Sequence, residues 1–346
     1  MIRINKKINF SYNKTPLIIT EISGNHGGSK KKFLNLIKSA FLNGADLVKI
    51  QTYEPEDITL NKKSIKFKIK DGIWKNKYLW ELYKKAHTPY SWHNEAFRIA
   101  KKNNKILFSS PFSLRAVDFL EKFNVPLYKI ASFEITDLKL VKYIASKKKP
   151  IILSTGMASI NEIIKAIKII NIYHKKIIIL HCVSGYPTKL EDTNLNRINI
   201  LKKLFKNYMI GISDHTDGIS SSIAAMSLGI VAIEKHYKLR NDDKTTDSKF
   251  SITPKTLLDM KGKLNKLNFS LNGKKSKTSA ENNSKILRRS IFSIKEIKKG
   301  EKITKKNIGT FRPKIGLGAE NYFKILGKIA KKNILKFEPI TNSKIK

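Results

Sequence analysis

The sequence predicts a parallel (β/α)8 barrel followed by a small β domain, and three observations lead there. Short β-branched apolar runs recur eight times, each ending in polar residues and each followed by a stretch of helical character. Runs apolar on both faces and alternating with helices are expected to be parallel strands in βα units, and eight such units close into a barrel. The length of 346 residues suits one barrel of about 250 residues with an appendage. Finally, the composition turns polar after Asn272, where GKKSKTSAENNSK reads as a linker. The expected domains are residues 1–272 for the barrel, 273–285 for the linker and 286–346 for the small domain.

The eight runs, in order, are Leu17 to Ser23, Leu47 to Tyr53, Ile106 to Phe112, Tyr128 to Glu134, Pro150 to Gly156, Ile177 to Val183, Met209 to His215 and Val231 to Tyr237. An open doubly wound sheet is the alternative, but no Gly-x-Gly-x-x-Gly turn follows the first run. Between the second and third runs the βα rhythm breaks. The insertion there holds DGIWKNKYLWELYKKAHTPYSWH, Asp71 to His93, with all three tryptophans, Trp74, Trp80 and Trp92. Beyond the linker, Gly300, Gly309, Gly316, Gly318 and Gly327 punctuate short segments, as expected of a small mixed β domain.

Composition bounds the class. Hydrophobic residues make up 41% of the chain, enough for a sizeable core. No N-terminal stretch has the order of a signal peptide, and Lys165, Lys168, Lys175 and Lys176 interrupt the apolar run from Ile163 to Leu180. A soluble, cytoplasmic protein without membrane contact is expected. The lone Cys182 allows no internal disulfide. A net charge of +42 would suit a polyanion partner. However, only eight of the 69 basic residues are arginine, whereas phosphate readers favour the guanidinium fork. The lysines are also spread along the whole chain instead of being interleaved with aromatics on one face. We therefore expect no nucleic-acid partner, and read the charge as a lysine-coated surface that draws anionic substrates.

In a parallel barrel, function sits at the C-terminal ends of the strands. The polar groups there are Glu21, Ser23, Asn25 and His26; Lys49 and Gln51; Ser109 and Ser110; Lys129, Ser132 and Glu134; Ser154 and Thr155; His181 and Ser184; Ser213, Asp214 and His215; Glu234 and His236. Ionisable groups at apolar strand ends are costly to bury unless they meet a ligand or each other. Their convergence predicts an active site. A lone strand-end histidine is ordinarily a hydrogen-bonded core residue, but His215 and His236 end neighbouring strands about 4.8 Å apart. Two imidazoles so placed can share one metal at about 2.0 to 2.2 Å each, with positions left for water and substrate. His181 and Cys182 are adjacent on one strand and point to opposite faces, which argues against a nucleophilic pair. Lys49 and Lys129 sit mid-strand in apolar company, where an anionic ligand would neutralise them. With Ser110, Ser132, Ser154, Ser184 and Ser213 they form a plausible cradle for a phosphate and a carboxylate. Lys129 and Ser132 have opposite parity, so aiming both inward requires a bulge or a turn. Glu21 is the natural acid or base.

The motifs EISGNHGG (Glu21 to Gly28), LVKIQTY (Leu47 to Tyr53), FSSPFS (Phe108 to Ser113), YKIASFE (Tyr128 to Glu134), ILSTGM (Ile152 to Met157), GISDHT (Gly211 to Thr216) and IEKHY (Ile233 to Tyr237) strongly resemble the sialic acid synthase family. The tail RRSIFSIKEIKKGEKITKKNIGTFRPKIGLG, Arg288 to Gly318, is similar to that family's C-terminal antifreeze-like (SAF) domain. The GIW and TPY elements of the insertion, and Ser184 where neuraminate synthases usually carry asparagine, resemble the pseudaminic acid branch more than the neuraminate branch.

The resemblance implies condensation of phosphoenolpyruvate with 2,4-diacetamido-2,4,6-trideoxy-L-altrose, giving pseudaminic acid and phosphate by C–O cleavage. A neuraminate or legionaminate synthase with the same chemistry is the alternative. It further implies a divalent metal, Mn²⁺, Mg²⁺ or Co²⁺, on His215 and His236, and Glu21 managing the proton of an attacking water. Lys49, Lys129 and the serines would hold phosphoenolpyruvate, while Gln51, Glu134, Tyr186 and Asp247 would bind the sugar. Arg312 would reach the acetamido group from the partner chain, in a homodimer whose small domain covers the partner's barrel mouth. That role argues against a stand-alone ice-interacting module. Trp74, Tyr78, Trp80, Tyr83 and Tyr90 of the insertion are expected to supply the less polar pocket that such a sugar needs.

Overall fold

The computed structural model describes residues 1–12, 14–273 and 278–346. It divides into two compact units, Met1–Asn272 and Gly273–Lys346. Part of the expected linker, residues 274–277, lies outside the described residues; of the remainder, Ser279–Asn283 is a short helix and Ser284–Leu287 a 3-10 turn.

In the first unit a small antiparallel hairpin, β1 (Ile2–Arg3) and β2 (Asn9–Phe10), precedes the barrel. The eight barrel strands are β3 (Leu17–Glu21), β4 (Leu47–Thr52), β5 (Ile106–Pro111), β6 (Tyr128–Ile130), β7 (Ile151–Ser154), β8 (Ile177–Cys182), β9 (Met209–Asp214) and β10 (Ala232–His236). They pair in parallel and in sequence order, and β10 closes the ring against β3 with His236 opposite Glu21. Every predicted strand is therefore present, and the (β/α)8 reading holds.

Alternation along each strand sorts side chains into two sets. Outward residues such as Ile18, Val48, Ile50, Ile130, Leu153 and Ile179 join one core with the surrounding helices. The helix Ile160–Asn171 illustrates the fit: Ile163, Ala166, Ile167 and Ile170 recur at helical spacing and are buried. Its start is fixed by a capping box between Ser159 and Glu162, a feature worth about 1 kcal/mol. Inward residues near the strand starts, among them Ile19, Leu47, Phe108, Leu127, Ile152 and Leu180, form a second apolar cluster. Phe10 of the hairpin is 0% exposed within that cluster, with Ile2, Ile4 and Ile8 packed against it. The lower end of the barrel is thus filled with side chains.

Two residues further along each strand, the inward positions turn polar. Glu21 follows Ile19, Lys49 follows Leu47, Ser110 follows Phe108, Lys129 follows Leu127 and Ser154 follows Ile152. The sequence thus encodes an apolar layer below and a chemical layer above on the same strands.

The second unit has a core of its own, built from Ile291, Ile297, Ile303, Ile308, Ile334 and Ile340 among others. Its strands β11 (Ser290–Ser293) and β12 (Ile308–Phe311) pair antiparallel.

Candidate active site

A cavity of roughly 530 Å³ opens at the C-terminal ends of the barrel strands. Six of the seven residues expected to hold phosphoenolpyruvate line it: Lys49, Lys129, Ser132, Ser154, Ser184 and Ser213. Ser110 is not in the lining but accepts a hydrogen bond from Lys49 Nζ at 3.4 Å. Of the residues expected to bind the sugar, Gln51, Glu134, Tyr186 and Asp247 line the cavity. Arg312 is exposed and belongs to the second unit, on the chain after β12. Both His215 and His236 line the cavity.

The turn that Ser132 requires is present. β6 ends at Ile130, and the chain enters a 3-10 turn, Phe133–Thr136, with Ser132 at its start. Ser132 Oγ then accepts from Gly156 N at 3.1 Å. Gly156 is needed for this approach, because a Cβ there would meet Ser132 Oγ at 2.8 Å and press on Ser184 Oγ. Ser154 Oγ, buried beside them, has no hydrogen-bond partner, an expensive condition unless a ligand supplies one.

The buried charges form a quartet. Lys129 Nζ donates to both oxygens of Glu234 at 2.8 Å. Lys49 Nζ is paired with Glu21 and lies 3.6 Å from Glu234. Glu234 also accepts from Ser213 Oγ at 3.1 Å. The anionic ligand expected to neutralise the lysines is thus preceded by carboxylates of the protein, which already pair with both. Glu234 has no role in the sequence reading, yet it ties both lysines together. Burial works against its charge, but the Lys129 and Lys49 cations hold it at about 2. Burial pulls Lys49 down to about 7 against the Glu234 carboxylate, and raises Glu134 to about 7.

His215 and His236 have ring centroids 5.2 Å apart. His215 Nδ1 faces Val183 O at 3.1 Å, which leaves Nε2 for another partner and resembles the carbonyl support common behind metal-ligating imidazoles. His236 Nδ1 is buried without a hydrogen-bond partner and lies 3.7 Å from the Asp247 carboxylate. Among the described residues no group of three or more His, Cys, Asp or Glu is arranged to hold a metal. The two imidazoles, one of them with its Nδ1 orphaned, would suit an ion whose remaining positions were left to water and substrate.

Several strand-end groups do not join the site. Asn25 is bonded to Tyr237 O and Ser251 Oγ, and His26 stacks edge-on between Phe33 and Trp92. Asp214 points outward, where Lys235 Nζ lies 3.3 Å away and Ser222 Oγ donates to it. His181 bonds Thr193 O at 2.8 Å, so its ring is turned away from Cys182. The thiol instead faces His215, with Sγ 3.8 Å from Nδ1. Trp74 and Tyr83 of the insertion line the cavity, whereas Tyr78, Trp80 and Tyr90 are not among its lining residues. Tyr90 is stacked on Phe119 at 4.3 Å instead.

A barrel mouth with two buried lysine–carboxylate pairs on its floor and paired histidines agrees with what the chain resembles. The NeuB family matches residues 36–277, and the SAF domain matches residues 288–346. The chain belongs to the NeuB family. It is 40% identical over 328 residues, 94% of this chain and 95% of the other, to the pseudaminic acid synthase of Campylobacter jejuni subsp. jejuni. The Helicobacter pylori pseudaminic acid synthase is also 40% identical, covering 94% of this chain and 96% of its own. Among solved structures, the N-acetylneuraminic acid synthetase of Leptospira borgpetersenii in complex with citrate superposes with a TM-score of 0.72 at 29% identity, covering 81% of this chain and 93% of that one. The expected kinship with sialic acid synthases is thus established, and the chain is an enzyme of that kind. No helix among the described residues is long and apolar enough to cross a membrane.

Proposed function

We propose that this enzyme condenses phosphoenolpyruvate with 2,4-diacetamido-2,4,6-trideoxy-L-altrose and one water, giving pseudaminic acid and phosphate. The observation that carries the reading is the joining of Lys49 and Lys129, through Glu234, on the floor of a cavity that His215 and His236 also line. The identity to pseudaminic acid synthases along nearly the whole chain supports the choice of sugar.

Lys49 and Lys129 hold the phosphate and carboxylate of phosphoenolpyruvate, helped by hydroxyls of Ser132, Ser154, Ser184 and Ser213. Ser110 acts through Lys49, whose ammonium it receives. Carbon 3 of phosphoenolpyruvate bonds to the aldehyde carbon of the open-chain sugar. Water adds to carbon 2, and the resulting tetrahedral carbon expels phosphate as its C–O bond breaks. Glu21, kept ionised by the neighbouring Lys49 ammonium, takes the proton of that water on its carboxylate, and the former aldehyde oxygen takes up a proton to become a hydroxyl. A divalent ion, Mn²⁺, Mg²⁺ or Co²⁺, held by His215 and His236 supplies Lewis-acid polarisation of the aldehyde oxygen when bound. Gln51, Glu134, Tyr186 and Asp247 orient the sugar's hydroxyl and amide groups. The enzyme acts in the cytoplasm.

The test of the sugar is kcat/KM for phosphate release at saturating phosphoenolpyruvate. The diacetamido sugar is expected to exceed N-acetylmannosamine, by up to about 10⁴-fold where buried polar groups pair with the second amide. Equal or higher values for N-acetylmannosamine would move the enzyme to the neuraminate branch.

Arg312 completes the site in trans, from the small domain of a partner in a homodimer. Mixing inactive Glu21→Ala with inactive Arg312→Ala protein is expected to regenerate activity, since one of the two sites in a mixed dimer keeps both residues. Failure to recover despite measured subunit exchange would place the arginine's action in its own chain or nowhere.

A further inference from the structure

Much of the cavity's polar lining belongs to the strand ends and the turns after them, but every isoleucine and leucine in the lining comes from one other place. Ile58, Ile69, Leu79 and Leu82 all line the cavity, and all lie in the insertion between β4 and β5. Leu82 is buried, and the other three are partly buried. The insertion is fixed where it meets the mouth. Trp74 Nε1 donates to Thr246 O at 3.1 Å, and its ring lies 5.5 Å from that of Tyr186. Lys68 and Tyr78 bridge antiparallel, with Ile69 N donating to Lys77 O at 2.9 Å. These contacts hold Ile69 on a braced turn.

A sugar whose aldehyde must reach phosphoenolpyruvate on the strand-end floor directs its far end, carbon 6, towards the mouth. There it meets aliphatic side chains. A methyl group gains by losing contact with water on such a surface, and a hydroxyl pressed against it loses hydrogen bonds. We propose that Ile58, Ile69, Leu79 and Leu82 form the subsite that selects a 6-deoxy sugar by its methyl group. This rests on the sugar class proposed above and assigns the recognition of carbon 6 to the aliphatic wall instead of the aromatics. Trp74 is the brace of that wall.

The experiment measures kcat/KM for phosphate release with the 6-deoxy diacetamido sugar and with its 6-hydroxy counterpart. The wild type is compared with Ile69→Thr and Leu79→Asn, changes at partly exposed positions that keep approximate size. The wild type is expected to prefer the 6-deoxy sugar by about 10- to 100-fold, the range one such group commands in an apolar pocket. Each variant narrows the ratio, mainly by raising KM for the 6-deoxy sugar, and leaves the KM for phosphoenolpyruvate unchanged. Full retention of the preference in both variants overturns the subsite alone. Turnover of N-acetylmannosamine with neither diacetamido sugar accepted overturns the sugar class and the subsite with it. Circular dichroism and the KM for phosphoenolpyruvate identify a variant that misfolds, and the other variant then decides.

Discussion

Replacing His215 or His236 with alanine is expected to lower kcat by about 10³-fold or more while leaving the fold intact, because Lewis-acid assistance is worth several kcal/mol and each 1.36 kcal/mol is tenfold in rate. Both rings face the cavity, and the one ladder pairing involved, His236 with Glu21, is made by the backbone, so truncating the side chains leaves the barrel ladder in place. Exhaustive chelation of the wild type should reproduce the loss, and added Mn²⁺ or Mg²⁺ should reverse it. Direct binding of the ion, read by calorimetry, should weaken in each variant. Full activity after chelation would remove the metal from the mechanism.

The second large effect concerns the Lys129–Glu234 pair. Lys129→Met leaves the Glu234 carboxylate 3% exposed with its nearest partner gone. Breaking a buried pair from one side typically costs about 3–5 kcal/mol, whereas removing both charges is often nearly neutral. The single variant should therefore lose stability in urea, less than the full amount because Lys49 stands 3.6 Å from the same carboxylate. Adding Glu234→Gln should restore most of it. Neither protein should bind phosphoenolpyruvate in a calorimetric titration. A double variant no more stable than the single one would show that the pair is not the main source of the cost. Phosphoenolpyruvate binding by either would take Lys129 out of the anion cradle.

Much of this design is legible in the residues. The eight runs mark the strands because each is apolar on both faces, and neighbouring strand ends bring His215 near His236. Strand parity also sorts the strand-end groups from one another. Ser213 and Asp214 are consecutive, so only one can face inward, and Asp214 turns out to pair with Lys235 behind the sheet. The bond from Lys129 to Glu234 crosses the barrel between non-adjacent strands 105 residues apart in sequence. No local pattern announces such a contact, since barrel closure alone creates it. The insertion is only partly legible: aromatic density points to Trp74, Tyr78, Trp80, Tyr83 and Tyr90, of which Trp74 and Tyr83 line the cavity, together with the aliphatic Ile58 and Ile69. Which side of a loop meets a pocket depends on where it is anchored, here at Thr246.

The N-terminal hairpin has a kinetic consequence. With Phe10 and the strand-start residues filling one end of the barrel, all traffic uses the opening at the other. Under the reaction proposed above, two substrates and two products would share that one doorway, so a product lingering there would bar the next round, a congestion set by a two-stranded stopper far from the reacting atoms.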